Sequence, residues 1–328
     1  MRVFINGFGR IGRSVLRAWA TDPALWPGLE VVGINDIAAP EMCAHLFEYD
    51  SVFGPWRGTV ALEGGCLVVN GRAIPLHRVA DLSGLDLGAV DVVMECTGRA
   101  DGREVAARGL QAGARRVLVS GPSQAAEVTI VLGANEDVLG DQQIVSNASC
   151  TTNALAPLAR LIDRDWGVVT GSMTTIHCYT GSQPTVDAPA ADYARSRAAA
   201  LSMVPTTTSA SRLLDAVLPG MAGRIEGSAV RVPVASVSCV DLAVMTARPV
   251  TVEAVNAAFH AAARSGGAVI GVTDRALVST DLRARPESIV MATPETRVTQ
   301  GGMLRVFGWY DNEWGFSNRM LDVALRMG

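Results

Sequence analysis

The chain has 328 residues, 49 % of them hydrophobic, and a formal net charge of −4 from 28 basic and 32 acidic side chains. That length allows two domains of ordinary size with a substantial core. The acid excess argues against nucleic acid as the main partner, because phosphate-backbone binding requires a basic face, but it leaves room for a small anionic substrate held by one or two arginines.

In chain order, residues 3–6 read as a short apolar strand and 11–20 as a helix. Further strands are expected at 29–35, 91–96, 116–120, 128–134 and 144–146, with a helix over 103–111. Short apolar strands alternating with helices imply an α/β fold with a mostly parallel sheet. A helix over 151–163 follows. The second half changes character, with long, partly alternating runs at 168–179 and 230–245 and helices at 209–218 and 252–265. Between 179 and 205 lies a segment rich in Ala, Asp, Arg, Ser and Pro, long enough to suggest a functional loop. A last helix spans 313–327. The six cysteines are scattered with no Cys-x-x-Cys pair, so neither a zinc site nor a redox dithiol is indicated. With no signal-like N-terminus and no apolar run of membrane length, the expected setting is cytoplasmic, with no membrane partner.

Gly7-Phe8-Gly9-Arg10-Ile11-Gly12 follows the first strand and opens the first helix. Gly7 permits the tight turn, Gly9 lets a pyrophosphate approach the backbone, and Gly12 allows close helix–strand packing, with the phosphates at the helix N-terminus. Asp36, at the end of the second strand, suits the hydroxyls of an adenosine ribose and repels a 2′-phosphate, which favours NAD over NADP. The plainer alternative is a tight turn and an ordinary strand-end aspartate.

Ser146-Asn147-Ala148-Ser149-Cys150-Thr151-Thr152-Asn153 joins a strand to a helix and sets Cys150 at the helix mouth. Free N–H groups and the positive end of the helix dipole favour a thiolate there. An ordinary thiol of pKa about 8.5 is only about 3 % ionised at pH 7, whereas one of about 6 is roughly 90 % ionised. The alternative is a small buried cysteine without reactivity.

These segments and several others resemble the phosphorylating glyceraldehyde-3-phosphate dehydrogenase family over the whole chain. The resemblance is carried by Ile5-Asn6-Gly7-Phe8-Gly9-Arg10-Ile11-Gly12-Arg13, Ile34-Asn35-Asp36, Tyr49-Asp50-Ser51, Cys96-Thr97-Gly98, the Ser146–Asn153 stretch, Thr174-Thr175-Ile176-His177, Pro205-Thr206-Thr207-Thr208, Arg231-Val232-Pro233 and Trp309-Tyr310-Asp311-Asn312-Glu313-Trp314-Gly315. It implies a Rossmann-type NAD-binding domain over 1–149, completed by the C-terminal helix 313–328. It also implies an α+β catalytic domain over 150–312 with a large, mostly antiparallel sheet, and a homotetramer. The implied substrates are glyceraldehyde 3-phosphate and inorganic phosphate.

In the implied reaction Cys150 is the nucleophile, its own backbone N–H a donor to the oxyanion, and His177 the base. Thr180, Ser182 and Arg231 hold the substrate phosphate. Ser149, Thr151, Thr208 and Ser209 surround the attacking phosphate, with Arg195 near both and Arg197 competing for that place. The cofactor residues implied are Asn6, Gly7, Phe8, Gly9, Arg10, Ile11, Gly12, Asp36, Ile37, Arg78, Thr97, Gly98, Ser120 and Asn312. Pro189, like Ile37, stands where NAD-preferring members carry the same kind of residue.

Some positions depart from the family pattern. Ala154 stands where a second cysteine is usual, Ser209 where a glycine is, and Phe316 where a tyrosine is; Trp56, Gly121-Pro122-Ser123 and the stretch 282–294 are also unusual. Phe316 and the Gly-Pro-Ser run are similar to erythrose-4-phosphate dehydrogenases, which hydrolyse the thioester, whereas Tyr179-Thr180-Gly181-Ser182-Gln183 matches the phosphorylating type. A semialdehyde-type dehydrogenase and a dinucleotide-sensing regulator are less consistent alternatives, the first because of Asp36 and the second because both catalytic side chains are present.

Overall fold

The computed structural model describes residues 1–265 and 267–328. The chain forms two compact units. The first comprises Met1–Ile130, Asn135–Ala148 and Ser317–Gly328; the second comprises Val131–Ala134 and Ser149–Phe316.

The first unit is built on a nine-stranded sheet of β1 (Arg2–Asn6), β2 (Glu30–Asn35), β3 (Val60–Glu63), β4 (Cys66–Val69), β5 (Arg72–His77), β6 (Val92–Glu95), β7 (Arg116–Val119), β8 (Val128–Thr129) and β9 (Ile144–Ser146), in the order β3-β4-β5-β2-β1-β6-β7-β9-β8. All pairs are parallel except β3–β4 and β4–β5. Strand β1 is central, with Val3, Phe4 and Ile5 buried, as a parallel strand covered on both faces requires. The chain passes from β1 to β2 on one side and later to β6 on the other. The crevice at the carboxyl ends of these strands is therefore the topological switch point where such sheets bind ligands.

The glycine turn occupies that crevice. Gly7 N donates to Asn35 O (2.8 Å) on β2, and Cys96 N after β6 donates to Asn6 O (2.7 Å). Helix α1 (Arg10–Thr21) begins there and buries Val15, Leu16 and Trp19. Gly7 has φ +91°, and a Cβ on it would lie 2.7 Å from Thr97 N. Gly9, by contrast, has open space where its Cβ would be. Two different outcomes are expected in urea unfolding and NAD titration. Gly7→Ala costs about 1–3 kcal/mol through left-handed strain and backbone contact. Gly9→Ala changes stability by less than about 0.5 kcal/mol yet weakens NAD binding, because only the ligand approaches there. Equal effects on stability would contradict this division.

The second unit carries an eight-stranded mixed sheet of β10 (Val168–Cys178), β11 (Val204–Thr206), β12 (Ile225–Val232), β13 (Ser238–Thr246), β14 (Ile270–Thr273), β15 (Ile289–Ala292), β16 (Arg297–Val298) and β17 (Leu304–Tyr310), ordered β11-β12-β10-β13-β17-β15-β14 with β16 beside β17. Antiparallel pairs predominate, but β10–β12 and β14–β15 are parallel. The parallel register of β10 and β12 places His177 opposite Arg231 and Thr175 opposite Ala229. Because side chains alternate along a strand, these four share one face.

The structure corrects several sequence expectations. The run 230–245 is two strands, broken after Val232 where Pro233 lacks an N–H for the ladder. The expected strand 128–134 retains only Val128–Thr129, and the expected helix 103–111 is two single turns, Arg103–Ala106 and Arg108–Gln111. The β3–β4–β5 meander was not anticipated, although Gly64-Gly65 and Asn70-Gly71, all at positive φ, are strong turn signals between short apolar runs. The last helix is Trp314–Met327, and its Ser317–Met327 portion packs in the first unit, where Trp26 Nε1 donates to Asp322 Oδ1 (2.6 Å) and Arg116 Nη1 to Met327 O (2.7 Å).

Candidate active site

The turn that leads to Cys150 begins with Ala148, fully buried and in the left-handed region at φ 55°, an uncommon conformation for a residue with a side chain. Ser149 is the N-cap of the 17-residue helix Cys150–Trp166, its Oγ accepting from Thr152 N (3.1 Å). Cys150 is thus the first helical residue, at the end where backbone donors lack intrahelical partners. Its Sγ lies 3.6 Å from His177 Nε2, and His177 is 4 % exposed.

Tyr310 braces this pair. Its hydroxyl lies 2.8 Å from both Thr151 Oγ1 and Thr175 Oγ1, and Thr175 Oγ1 also donates to Cys239 O (2.9 Å). The Tyr310 ring meets the imidazole edge-on at 6.0 Å. A buried tyrosine hydroxyl needs partners, and here it ties the helix start to the strand that carries the histidine. Neither Tyr310 nor Thr175 was singled out from the sequence for this role.

A cavity of about 350 Å³ opens beside Cys150, lined by Ser149, Cys150, Thr151, Thr175, His177, Arg195, Thr207, Thr208, Ser209, Ala229 and Arg231. No carboxylate lines it, so two guanidiniums and a group of hydroxyls face the space: an anion-binding lining. Eight of the sequence-derived residues meet here. Arg195 lines the cavity, with Nε donating to Thr206 Oγ1 (2.6 Å), whereas Arg197 pairs with Asp187 (2.7 Å). Thr180 and Ser182 are not part of the lining; their hydroxyls lie 3.0 Å apart in an exposed turn after β10. Ser209 sits at φ −80°, ψ −2°, so its side chain costs no backbone strain and adds a hydroxyl to the wall.

The electrostatics modify the expectation of an intrinsically acidic thiol. Burial pushes the Cys150 thiol up; the Arg231 guanidinium, the Thr151 hydroxyl and backbone N–H groups at the helix start pull it down. Burial first, then the Arg231 charge, lower the His177 imidazole from 6.5 to about 4, against a hydrogen bond at the Cys178 backbone. The helix mouth alone therefore does not make the sulfur acidic, because desolvation opposes it. Burial disfavours an isolated charge on either group.

A histidine whose folded pKa is depressed contributes stability that is full above 6.5 and is lost as pH falls through about 4. Wild type is therefore expected to lose roughly 3 kcal/mol more than His177→Asn between pH 6.5 and 4, measured by urea unfolding. Parallel pH profiles would refute the burial of a neutral imidazole.

In the first unit, the residues implied for a dinucleotide divide into those at the surface of the turn and those beneath it. Asp36 accepts from Phe8 N (2.6 Å) and Ala38 N (2.8 Å), and is fixed at the end of β2. Arg10 pairs with Asp50, and Arg78 Nε donates to Ile37 O (3.1 Å). The Phe8 ring is turned inward, 2 % exposed and stacked on Phe47 at 6.1 Å, so only its backbone serves the turn. Asn6 is likewise buried, donating to Glu95 Oε2 (2.5 Å) and accepting from Asn35 Nδ2 (2.8 Å). Glu95, 3 % exposed, also accepts from Thr97 N (2.9 Å) and Thr97 Oγ1, and Ser120 N donates to Glu95 O (3.0 Å). Sequence reading missed Glu95; its signal was a lone acid ending the apolar run Val92-Val93-Met94.

The open space over Gly9, the uncapped first turn of α1 and the carboxylate at the end of β2 fit a dinucleotide's pyrophosphate and ribose. In the second unit Asn312 is buried, its Oδ1 accepting from Cys178 Sγ (3.1 Å) and Ser238 Oγ (3.4 Å). Among the described residues, no group of three or more His, Cys, Asp or Glu is placed to hold a metal ion, and no helix is long and apolar enough to cross a membrane.

Two family models match the chain: glyceraldehyde 3-phosphate dehydrogenase, NAD binding domain, over residues 1–103, and glyceraldehyde 3-phosphate dehydrogenase, C-terminal domain, over residues 149–312. The chain belongs to the glyceraldehyde-3-phosphate dehydrogenase family. Residues 1–103 are accordingly part of its NAD-binding domain, and the chain is an NAD-dependent dehydrogenase.

Similar proteins include the glyceraldehyde-3-phosphate dehydrogenases of Xanthobacter flavus (46 % identical, 100 % of this chain and 98 % of the relative) and Cereibacter sphaeroides (47 %, 100 % and 98 %). Glyceraldehyde-3-phosphate dehydrogenase 1 of Bacillus subtilis is 43 % identical over 99 % of this chain and 97 % of the relative. All three bear the glyceraldehyde 3-phosphate name, so the erythrose 4-phosphate reading is not favoured.

Proposed function

We propose that this enzyme oxidises glyceraldehyde 3-phosphate with NAD and passes the acyl group to inorganic phosphate, forming 1,3-bisphosphoglycerate. The observation that carries the reading is the 3.6 Å approach of Cys150 Sγ to His177 Nε2 beside a cavity whose only other charged lining groups are Arg195 and Arg231.

Cys150 Sγ attacks the aldehyde carbon, and the thiol proton, taken by His177, passes to the carbonyl oxygen, which becomes a hydroxyl. The backbone N–H of Cys150 supports the negative charge that develops on that oxygen. His177 Nε2 then takes the hydroxyl proton as the C–H bond breaks. Bound NAD would supply the hydride acceptor; the glycine turn, Arg10, Ile11, Asp36, Ile37, Arg78, Thr97, Gly98 and Ser120 would hold it, and Asn312 is proposed for its carboxamide. Cys150 now carries a thioester, and a phosphate oxygen attacks its carbonyl carbon while Sγ leaves.

The attacking phosphate is held by Ser149, Thr151, Thr208, Ser209 and Arg195, and the substrate phosphate by Arg231, Thr180 and Ser182. Two guanidiniums, Arg195 and Arg231, among the hydroxyls that line one cavity support a reaction with two phosphates. The exposed large apolar side chains Val186, Tyr193, Leu201 and Met203 on the loop after β10 support self-association, proposed as a homotetramer. Sedimentation equilibrium tests it. Six free cysteines support a reducing, cytoplasmic setting.

The test of function is NADH absorbance with a panel of aldehydes, with and without phosphate. Sustained turnover is expected only with glyceraldehyde 3-phosphate and phosphate together. Sustained phosphate-independent turnover would replace acyl transfer to phosphate by hydrolysis.

A further inference from the structure

The carboxyl ends of four neighbouring parallel strands, β5, β2, β1 and β6, carry a row of hydrogen-bonded polar groups beneath the glycine turn. Val79 lies just beyond β5. Asn35 ends β2, Asn6 ends β1 and Glu95 ends β6, and Asn6 is the register partner of both others. All three side chains are buried, Glu95 most of all.

The donors and acceptors of this row have one possible order. Asn35 Oδ1 accepts from Val79 N (2.9 Å) and Asn35 Nδ2 donates to Val79 O (3.0 Å), so two backbone groups fix the orientation of that amide. Asn35 Nδ2 also donates to Asn6 Oδ1 (2.8 Å), which turns Asn6 Nδ2 toward Glu95 Oε2 (2.5 Å). At the other end Thr97 N, a backbone donor, reaches Glu95 Oε1 (2.9 Å), as does Thr97 Oγ1. The side chain at position 95 must therefore accept at both of its ends. A glutamate does so; a glutamine, with one oxygen and one NH2 group, cannot.

The row holds the turn on both sides. Asn6 immediately precedes Gly7, and Thr97 N lies 2.7 Å from where a Cβ on Gly7 would stand. Thr97 and Gly98 themselves belong to the groove of the proposed NAD site. One carboxylate thus ties the strand that feeds the turn to the segment packed against it. Burying that carboxylate is tolerable because both oxygens are bonded.

We infer that Glu95 is a positioning residue for NAD: through Asn6 and Thr97 it sets the gap between the glycine turn and the Thr97–Gly98 segment, into which the dinucleotide fits. Glu95 lies below the turn and acts through these two neighbours rather than on the cofactor itself. The inference rests on the placing of NAD at this turn.

The experiment is a double-substitution cycle on the full-length protein, read by calorimetric NAD titration, by kcat and KM for NAD, and by urea unfolding. In Glu95→Gln the introduced NH2 group meets another donor, either Asn6 Nδ2 or Thr97 N. In Asn6→Asp the introduced carboxylate meets that of Glu95. Each single variant is expected to bind NAD at least about tenfold more weakly, while kcat at saturating NAD falls much less. Combining Asn6→Asp with Glu95→Gln restores every bond with the central donor and acceptor exchanged. The amide now at position 95 donates to the carboxylate at position 6 and still accepts from Thr97, and the second carboxylate oxygen accepts from Asn35 Nδ2. The double variant should recover most of the lost affinity.

A folded Glu95→Gln that binds NAD within about twofold of wild type, whatever its loss in urea, makes Glu95 structural only and overturns the inference. A double variant that binds no better than the single ones overturns the bond order beneath it. If the single variants do not fold, the double variant decides: it should fold and bind NAD, and failure of either overturns the inference. Gly9→Ala separates the two readings. If Gly9→Ala binds NAD as wild type does, the placing of NAD at the turn fails and the inference with it; if it loses affinity and Glu95→Gln does not, the inference alone fails.

Discussion

Replacing Cys150 by alanine is expected to lower NAD reduction by at least about four orders of magnitude, because it removes the atom that forms the thiohemiacetal and thioester. The same variant should bind NAD with nearly unchanged affinity. The ligands proposed for its pyrophosphate and adenosine ribose lie in the first unit, and the helix that Cys150 opens retains its Ser149 cap. Folding should also survive, since a cysteine behaves as a small apolar residue and Ala fits within its volume. Stopped-flow NADH formation and fluorescence titration with NAD separate the two effects. Residual activity within tenfold of wild type would show that sulfur is not the nucleophile.

Replacing His177 by asparagine is expected to lower kcat by about 10²–10⁴, the range of a positioned acid–base group. It should also slow iodoacetamide alkylation of Cys150 at neutral pH and move the alkylation profile upward. Burial already pushes this thiol up, and the histidine at 3.6 Å is the partner that accepts its proton or hydrogen-bonds its thiolate. Without the imidazole, burial is opposed only by the Arg231 charge, the Thr151 hydroxyl and the backbone N–H groups of the helix start. An alkylation profile superimposable on that of wild type would show that the two side chains do not share a proton. Arg231 remains in the variant and continues to favour the thiolate, so the shift should be finite rather than a complete loss of reactivity.

The local parts of the fold and the site were legible in the sequence. A strand, three glycines at fixed spacing and a helix define the dinucleotide turn, and the structure places Gly7 where only glycine's freedom suits φ +91°. Cys150 at the helix mouth was equally legible, since an N-cap serine precedes it.

The long-range pairings were not legible. Nothing in the runs 168–179 and 230–245 shows that β10 and β12 pair in parallel, yet that register brings His177 and Arg231, 54 residues apart, to 2.6 Å. The choice between Arg195 and Arg197 also required a fold, because two arginines in one loop differ only in the partner each reaches. The balance at the thiol was only half legible for a related reason: helix position is local and readable, whereas the burial that opposes ionisation comes from residues far apart in the chain. Tyr310 and Glu95 escaped attention because each acts through buried hydrogen bonds rather than on a ligand-facing surface.

The central claim is that the acyl group passes through Cys150 on its way to phosphate. Its most direct test is peptide mass spectrometry of enzyme rapidly acid-quenched after mixing with glyceraldehyde 3-phosphate and NAD in phosphate-free buffer. A 3-phosphoglyceroyl adduct is expected on the peptide containing Cys150, present without phosphate and discharged when phosphate is added. An enzyme that turns over with no adduct, or with the adduct on another cysteine, would contradict it.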